Sequence, residues 1–209
     1  MTIKKVIRYT LLADGSSDAA LVPIIDWTIE QNFSHIAYAS QYARDLGKVG
    51  LQLEERVTQT LLQFPCDILF LHRDAENEGL QARLEEIAYA VATIGQSYVP
   101  IIPVRMTEAW MLSDETAIRA AAGNSHSKVA LDLPKRDRWE KLPDPKAVLF
   151  NALTVATEKK GRALNKFYPD RHRHRVTQLT ENFGLLRGLD GFDGFEKALI
   201  AEFNKIIKG

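Results

Sequence analysis

Two periodicities divide the chain. From residue 5 to about 105, short β-branched or apolar runs alternate with longer stretches whose apolar positions recur at helical spacing. The runs "KVIRYTLLA" (5–13), "HIAYAS" (35–40), "DILFLHR" (67–73) and "YVPIIPVR" (98–105) predict four strands, and the intervening segments near 17–31, 48–63 and 79–94 predict helices. Strands and helices alternating at these lengths predict βαβ units and a mostly parallel sheet. In 48–63, Leu51, Val57, Leu61 and Leu62 stand against Gln52, Glu54, Glu55 and Arg56, an apolar face opposite a solvated one.

The alternation stops after "TEAWMLSDETAIRAAAG", a helical stretch that opens at Thr107 and closes at Gly123, where a left-handed C-cap is natural. Residues 124–146 hold three prolines, many charges and no sustained period, as a long ordered loop or connector would. Three more helices are expected at 145–159, 173–187 and 194–207, the first two joined by the basic link "KGRALNKFYPDRH". The organisation is an α/β unit over 1–123 and a basic connector with a helical extension over 124–209 packed on it. Trp110 and Met111 read as core, as do Phe192, Phe195, Leu199, Phe203 and Ile207 of the last helix.

A hydrophobic content of 45% over 209 residues is enough for a real core. No apolar run approaches the roughly eighteen residues of a membrane span, and "MTIKKVIRYT" runs into a strand instead of a signal core. The chain reads as soluble and unprocessed, without membrane contact. The lone Cys66 has no thiol partner for a disulfide or a zinc site, which fits a reducing cytoplasm. The formal charge of zero conceals a split. Residues 1–125 hold ten Lys and Arg against sixteen Asp and Glu, net −6, and residues 126–209 hold seventeen against eleven, net +6. A cation site facing a phosphate-bearing ligand would have this distribution; so would a solvated surface.

If the strands are parallel, their C-terminal ends share one edge, where ligands of open α/β sheets bind. Asp14 follows the first strand, Asp74 and Glu76 the third, and Glu108 the fourth. Were the third strand to run on through Ala75, Asp74 and Glu76 would point to the same side and could present two carboxylates to one ion. Oxygen ligands of this kind suit Mg²⁺ or Mn²⁺ and metal-assisted phosphoryl transfer. Zinc hydrolysis is not supported: the five histidines offer no H-E-x-x-H spacing and no Cys–His set. Plainer roles exist. Asp18 sits in the first turn of its helix as a dipole partner or secondary acid, with Ser16 or Ser17 as cap, and Glu108 follows a plausible Thr107 cap. Strand-end aspartates such as Asp14 and Asp74 also form turns.

"ADGSSD" and "HRDAEN" resemble the two acidic motifs of the Toprim family, the catalytic fold of topoisomerases, primases and overcoming-lysogenization-defect nucleases. Asp14 stands where that family has glutamate, and Glu76 where it has the second aspartate; both keep a carboxylate. The order "ADGSSD", "LHRDAE", "PVRMTEAWMLSD", "LPDPK" and a terminal F-x-x-F helix resembles an uncharacterised bacterial Toprim-like group with a domain of unknown function and relatives in ATPase-linked anti-phage systems. The resemblance implies a Toprim-like, Rossmann-like α/β fold, a mostly parallel four-stranded sheet flanked by helices with a mainly helical C-terminal extension. It also implies a nuclease-like Mg²⁺ site with Asp14, Asp74 and Glu76 as metal ligands and Glu108 as a further acidic member.

The basic half offers partners for phosphate. In "LPDPK", Asp144 and Pro145 read as N-cap and N1, which places Lys146 at N2, against the helix dipole unless a phosphate sits beside it. The stretch around Arg162, Lys166, Arg171 and Arg173, interleaved with Phe167 and Tyr168, has the composition of a nucleic-acid grip, and equally that of a solvated loop. Arg73 and Arg105, beside the carboxylates, would pair with them or touch a scissile phosphate. The expectation is a Mg²⁺-dependent nuclease acting on DNA or RNA, in a defence or repair assembly, with Glu108 holding a second ion or acting as base and Lys146 stabilising phosphate charge. The alternatives are a non-catalytic Toprim-like subunit of an ATPase partner and a small-molecule phosphotransfer enzyme using Asp74.

Overall fold

The structure is a computed structural model that describes residues 6–50, 52–76 and 78–208. Lys5 of the first expected strand, Leu51 of the apolar face and Asn77 lie outside the described residues. Four strands, β1 (Ile7–Leu12), β2 (Tyr38–Tyr42), β3 (Ile68–His72) and β4 (Tyr98–Ile101), form one all-parallel sheet in the order β2-β1-β3-β4. Helices α1 (Val22–Asn32), α2 (Leu53–Gln63) and α3 (Leu80–Val91) connect them. The α/β architecture expected from the alternating pattern is therefore present, with a helical C-terminal stretch after it.

The pleat sorts the strand residues onto two faces. Tyr9 and Leu11 of β1, with Ile68 and Phe70 of β3, join a core that includes α1 and the C-terminal helices; Leu12, Leu69 and Leu71 join a second one under α2 and α3. Leu53 and Val57 of α2 are buried there, whereas Leu62 is 71% exposed, so the apolar stripe of that helix is narrower than its spacing implies.

After β4 come α4 (Glu108–Met111) and α5 (Glu115–Ala121) in place of one helix. The break has a local cause: Asp114 leaves helical geometry and its carboxylate accepts from Ala117 N at 2.9 Å, starting a new helix. Gly123, at φ 81°, supplies the expected left-handed end. The connector has one short 3-10 helix, Arg136–Lys141, whose Trp139 is buried. Then follow α6 (Pro145–Ala156), α7 (Gly161–Leu164), α8 (Arg173–Leu179) and α9 (Asp190–Lys208). Helix α8 stops well short of 187, because Thr180 is extended and a 3-10 turn occupies Gly184–Leu186. Helix α9 begins before residue 194, since the Glu140 carboxylate accepts from Asp190 N and Gly191 N at 2.8 and 3.0 Å and caps it. Burial holds the Glu140 carboxyl above its usual range although those two amides pull it down. Phe192, Phe195, Leu199 and Phe203 are buried in the same core as Tyr9 and Trp110, while Ile207 is half exposed. The extension and the sheet thus share one core.

Two strand expectations shift. Strand β2 lies at 38–42 instead of 35–40, and β4 ends at Ile101, although the Pro103 carbonyl still accepts from Ala75 N at 3.0 Å beyond it. Among the described residues, no helix is long and apolar enough to cross a membrane.

Candidate functional site

The chain leaves β1 toward β2 on one side and returns to β3 on the other. The crevice at the carboxyl ends of β1 and β3 is therefore the topological switch point, where open α/β sheets bind ligands. The residues just past those two strands meet there. Asp14 Oδ1 accepts from Arg73 at 2.8 Å and from Arg56 of α2 at 2.5 Å, and Arg56 also donates to the Ala13 carbonyl at 2.7 Å. Burial pushes the Asp14 carboxyl up, but the two guanidiniums outweigh it and hold it below the usual carboxylate range. Arg73 turns its other nitrogen to Glu86 at 2.9 Å, and Glu86 in turn pairs with Arg83 at 2.8 Å. Arg83 Nε donates to the Asp74 carbonyl at 3.2 Å, which fixes the turn after β3.

Beside this chain of ions lies a buried histidine. The pleat that puts Ile68 and Phe70 on the α1 side puts His72 there too, at 3% exposure. Its Nε2 is 3.2 Å from Asp74 Oδ1 and 3.0 Å from Thr107 Oγ1, and its Nδ1 is 3.7 Å from Asp18 Oδ2. Burial pulls the His72 pKa down, yet the Asp74 hydrogen bond and the charges of Asp74, Asp18 and Asp14 raise it above its ordinary value. The same Asp74 oxygen accepts from the backbone N–H of Thr107 at 3.0 Å, joining the ends of β3 and β4. Asp18 is helix-start chemistry, accepting from Gly15 N at 2.9 Å and from Ser17 Oγ at 3.3 Å.

Several expectations change here. Strand β3 ends at His72 and Glu76 is exposed at φ 45°, so the alternation that would align Glu76 with Asp74 does not extend that far. Arg105 holds the turn through the Glu76 carbonyl at 3.3 Å and the Pro143 carbonyl at 3.3 Å, not through a carboxylate. Glu108 is 6% exposed and accepts from Arg173 of α8 at 2.6 Å, so it is an ion-paired group in the wall. At α6, Asp144 is the N-cap, bonded by Ala147 N at 2.8 Å, with Pro145 at N1. Lys146 is exposed with its ammonium 5.7 Å above the Phe150 ring. No hydrogen bond or ion pair among the described residues joins it to the carboxylates. In the basic link, Phe167 is buried and stacked on His172, while Tyr168 is exposed under the Arg171 guanidinium, 4.8 Å from its centroid. Arg162 and Lys166 are exposed on and after α7.

A shared Mg²⁺ finds no ligand set in this arrangement. Asp14 is neutralised by two arginines, Asp74 Oδ1 is engaged by Thr107 and His72, and Glu76 turns away from the strand direction. Among the described residues, no group of three or more His, Cys, Asp or Glu side chains is placed to hold a metal ion.

The space at the edge is arginine-lined instead. A cavity of about 490 Å³ lies over the ends of β1 and β2, with Arg44, Arg56 and Arg73 on its walls against Asp14 and Asp45. A second, of about 410 Å³, shares Ser16 and Arg44 with it and extends to Arg173 and His174 of α8. His72, Arg56, Arg44 and His174 carry this geometry and were not singled out from sequence. Only His72 had a legible signal, being the one polar residue that closes a continuous apolar strand.

Compared with protein-family models, with curated proteins and with solved structures, the chain matches none of them. What fold and site define is a structural class: a four-stranded parallel α/β protein with an arginine-lined carboxyl edge.

Proposed function

We propose that the carboxyl edge of the sheet binds the phosphodiester backbone of nucleic acid. The observation that carries this reading is the wall of the larger cavity, where three arginines face two carboxylates at the switch point of the sheet. Guanidinium forks match phosphate oxygens bidentately, and Asp14 keeps Arg56 and Arg73 oriented before a ligand arrives. The exposed Tyr168, with Arg171 above it, offers a face on which a base can stack. The Toprim-like resemblance implies metal-assisted hydrolysis as well as recognition, but recognition alone is proposed. When bound, Mg²⁺ would supply charge neutralisation and an activated water, but the residues present do not fit the ion in this arrangement and no step is assigned to it.

The test is fluorescence anisotropy with short single-stranded DNA and RNA, with and without Mg²⁺ or Mn²⁺, and a gel assay for cleavage. Wild type is expected to bind with affinity falling as salt rises, and Arg44→Gln to weaken binding and reduce the log–log salt slope by about 0.7, one single-strand phosphate contact. Cleavage that appears with the ion and is lost in Asp74→Asn would establish hydrolysis. Absence of binding at low salt, or an unaltered Arg44→Gln variant, would overturn the reading.

A further inference from the structure

The smaller cavity differs from the larger in what surrounds it. It forms where α8, from the basic half of the chain, packs against the turn after β1, and its walls include Ser16, Ser17, Arg44, Asp170, Arg173 and His174. Arg173 is anchored there by a buried carboxylate: Glu108, 2.6 Å away, takes one nitrogen of the fork. An anchored guanidinium loses little freedom on binding and has donors to spare. His174 follows it on α8 and lines the cavity; its Nδ1 is buried without a hydrogen-bond partner, and burial with the Arg173 charge lowers its pKa, which favours the neutral imidazole. The Ser16 hydroxyl adds a short donor, while that of Ser17 is given to Asp18.

We propose that this cavity is a pocket for a terminal phosphate monoester of the nucleic acid, which extends the backbone-binding reading above and rests on it. Three features favour an end over a further backbone phosphate. A monoester carries close to two negative charges and three terminal oxygens near neutral pH, where an internal diester carries one charge and two such oxygens. Arg44, the remaining nitrogens of Arg173, an imidazole and the Ser16 hydroxyl around one space supply donors for three oxygens. Arg44 belongs to both cavities, so a strand lying through the larger one brings its end to the smaller. Asp170 lines the smaller cavity as well, and its carboxylate disfavours a second phosphate continuing past the first.

The experiment uses the full chain and three versions of one labelled single-stranded oligonucleotide, ending in a 5′-phosphate, a 3′-phosphate or hydroxyls at both ends, without divalent ions. One phosphorylated form is expected to bind about tenfold more tightly than the hydroxyl form, the worth of one charge-assisted hydrogen bond. Which form it is assigns the polarity. Arg173→Gln alone would strand Glu108, so the assignment to this cavity is tested in Glu108→Gln/Arg173→Gln, which leaves two amides in place of the ion pair. His174→Gln tests it a second time without touching that pair. Both variants are expected to lose the difference between phosphorylated and hydroxyl ends. Equal affinity for all three ends in wild type would overturn the terminal-phosphate pocket while the backbone-binding reading stands. A preference retained in both variants would overturn its placement here, and failure to bind any of the three would overturn both readings.

Discussion

The Arg173–Glu108 pair joins the helical extension to the end of the sheet, and its removal gives the sharpest energetic prediction. The two atoms are 2.6 Å apart, with side-chain exposures of 17% for Arg173 and 8% for Glu108. Substituting Arg173 by Gln leaves a buried carboxylate without its charge partner. Breaking such a pair from one side costs about 3–5 kcal/mol, and the partial exposure of Arg173 places Arg173→Gln near the lower bound, about 3 kcal/mol. For a chain of this size each kcal/mol lowers the midpoint by about 2–4 °C, so a fall of about 6–12 °C is expected. The Glu108→Gln/Arg173→Gln variant carries no buried charge and is expected to regain most of the loss, so the double-mutant cycle should return a coupling of about 2–3 kcal/mol. Thermal melts and urea titrations of the four proteins measure it. Loss in Arg173→Gln of less than about 1 kcal/mol, or equal losses in the single and double variants, would refute the claim that Glu108 is a charged wall residue held by α8.

His72 and Gly191 give two further measurements. The folded-state pKa of His72 is raised, so its contribution to stability is full below the unfolded value of about 6.5 and fades as pH rises through the folded value. The stability gap between wild type and His72→Gln should therefore narrow as pH rises above the unfolded value and through the raised folded one; a gap of constant size would show that the flanking Asp74 and Asp18 do not hold a charged imidazole. At Gly191, an added Cβ would stand 2.7 Å from the Ile102 carbonyl oxygen and 3.0 Å from Glu140 Oε1. Gly191→Ala should cost about 1–3 kcal/mol in urea unfolding, and a neutral result would mean that α9 can withdraw from the end of β4 without loss.

The alternation of apolar runs and helical stretches made the parallel sheet legible, because strands buried on both faces read as near-continuous apolar runs. It also made Asp14 and Asp74 legible as neighbours at one edge, since both lie just past their strands. Periodicity could not say where a strand stops. Asp74 and Glu76 share a parity that matters only while the backbone stays extended, and β3 ends at His72. The division of 107–123 was missed for a related reason: the apolar spacing continues through Asp114, while the side-chain cap that restarts the helix is a local hydrogen bond. The early start of α9 depends on Glu140, about fifty residues upstream, a partner that no window centred on the helix contains.

The acidic edge shows why such partners decide function. Read along the chain, every strand-end acid is a ligand candidate, because its neutralising group is not in view. In the structure, the cations arrive from elsewhere: Arg56 from the polar face of α2, Arg73 from beside Asp74, and Arg173 from the basic half. Asp14, which stands in place of the glutamate of the resembled motif, holds two guanidiniums. A carboxylate one methylene shorter lies close to its strand end, and there it orients arginines toward the crevice. The split of charge between the halves has the same meaning. Where the two halves meet, Glu108 of the acidic one fixes Arg173 of the basic one, and the cavity beside that pair is lined by Arg44 and Arg173 with Asp170.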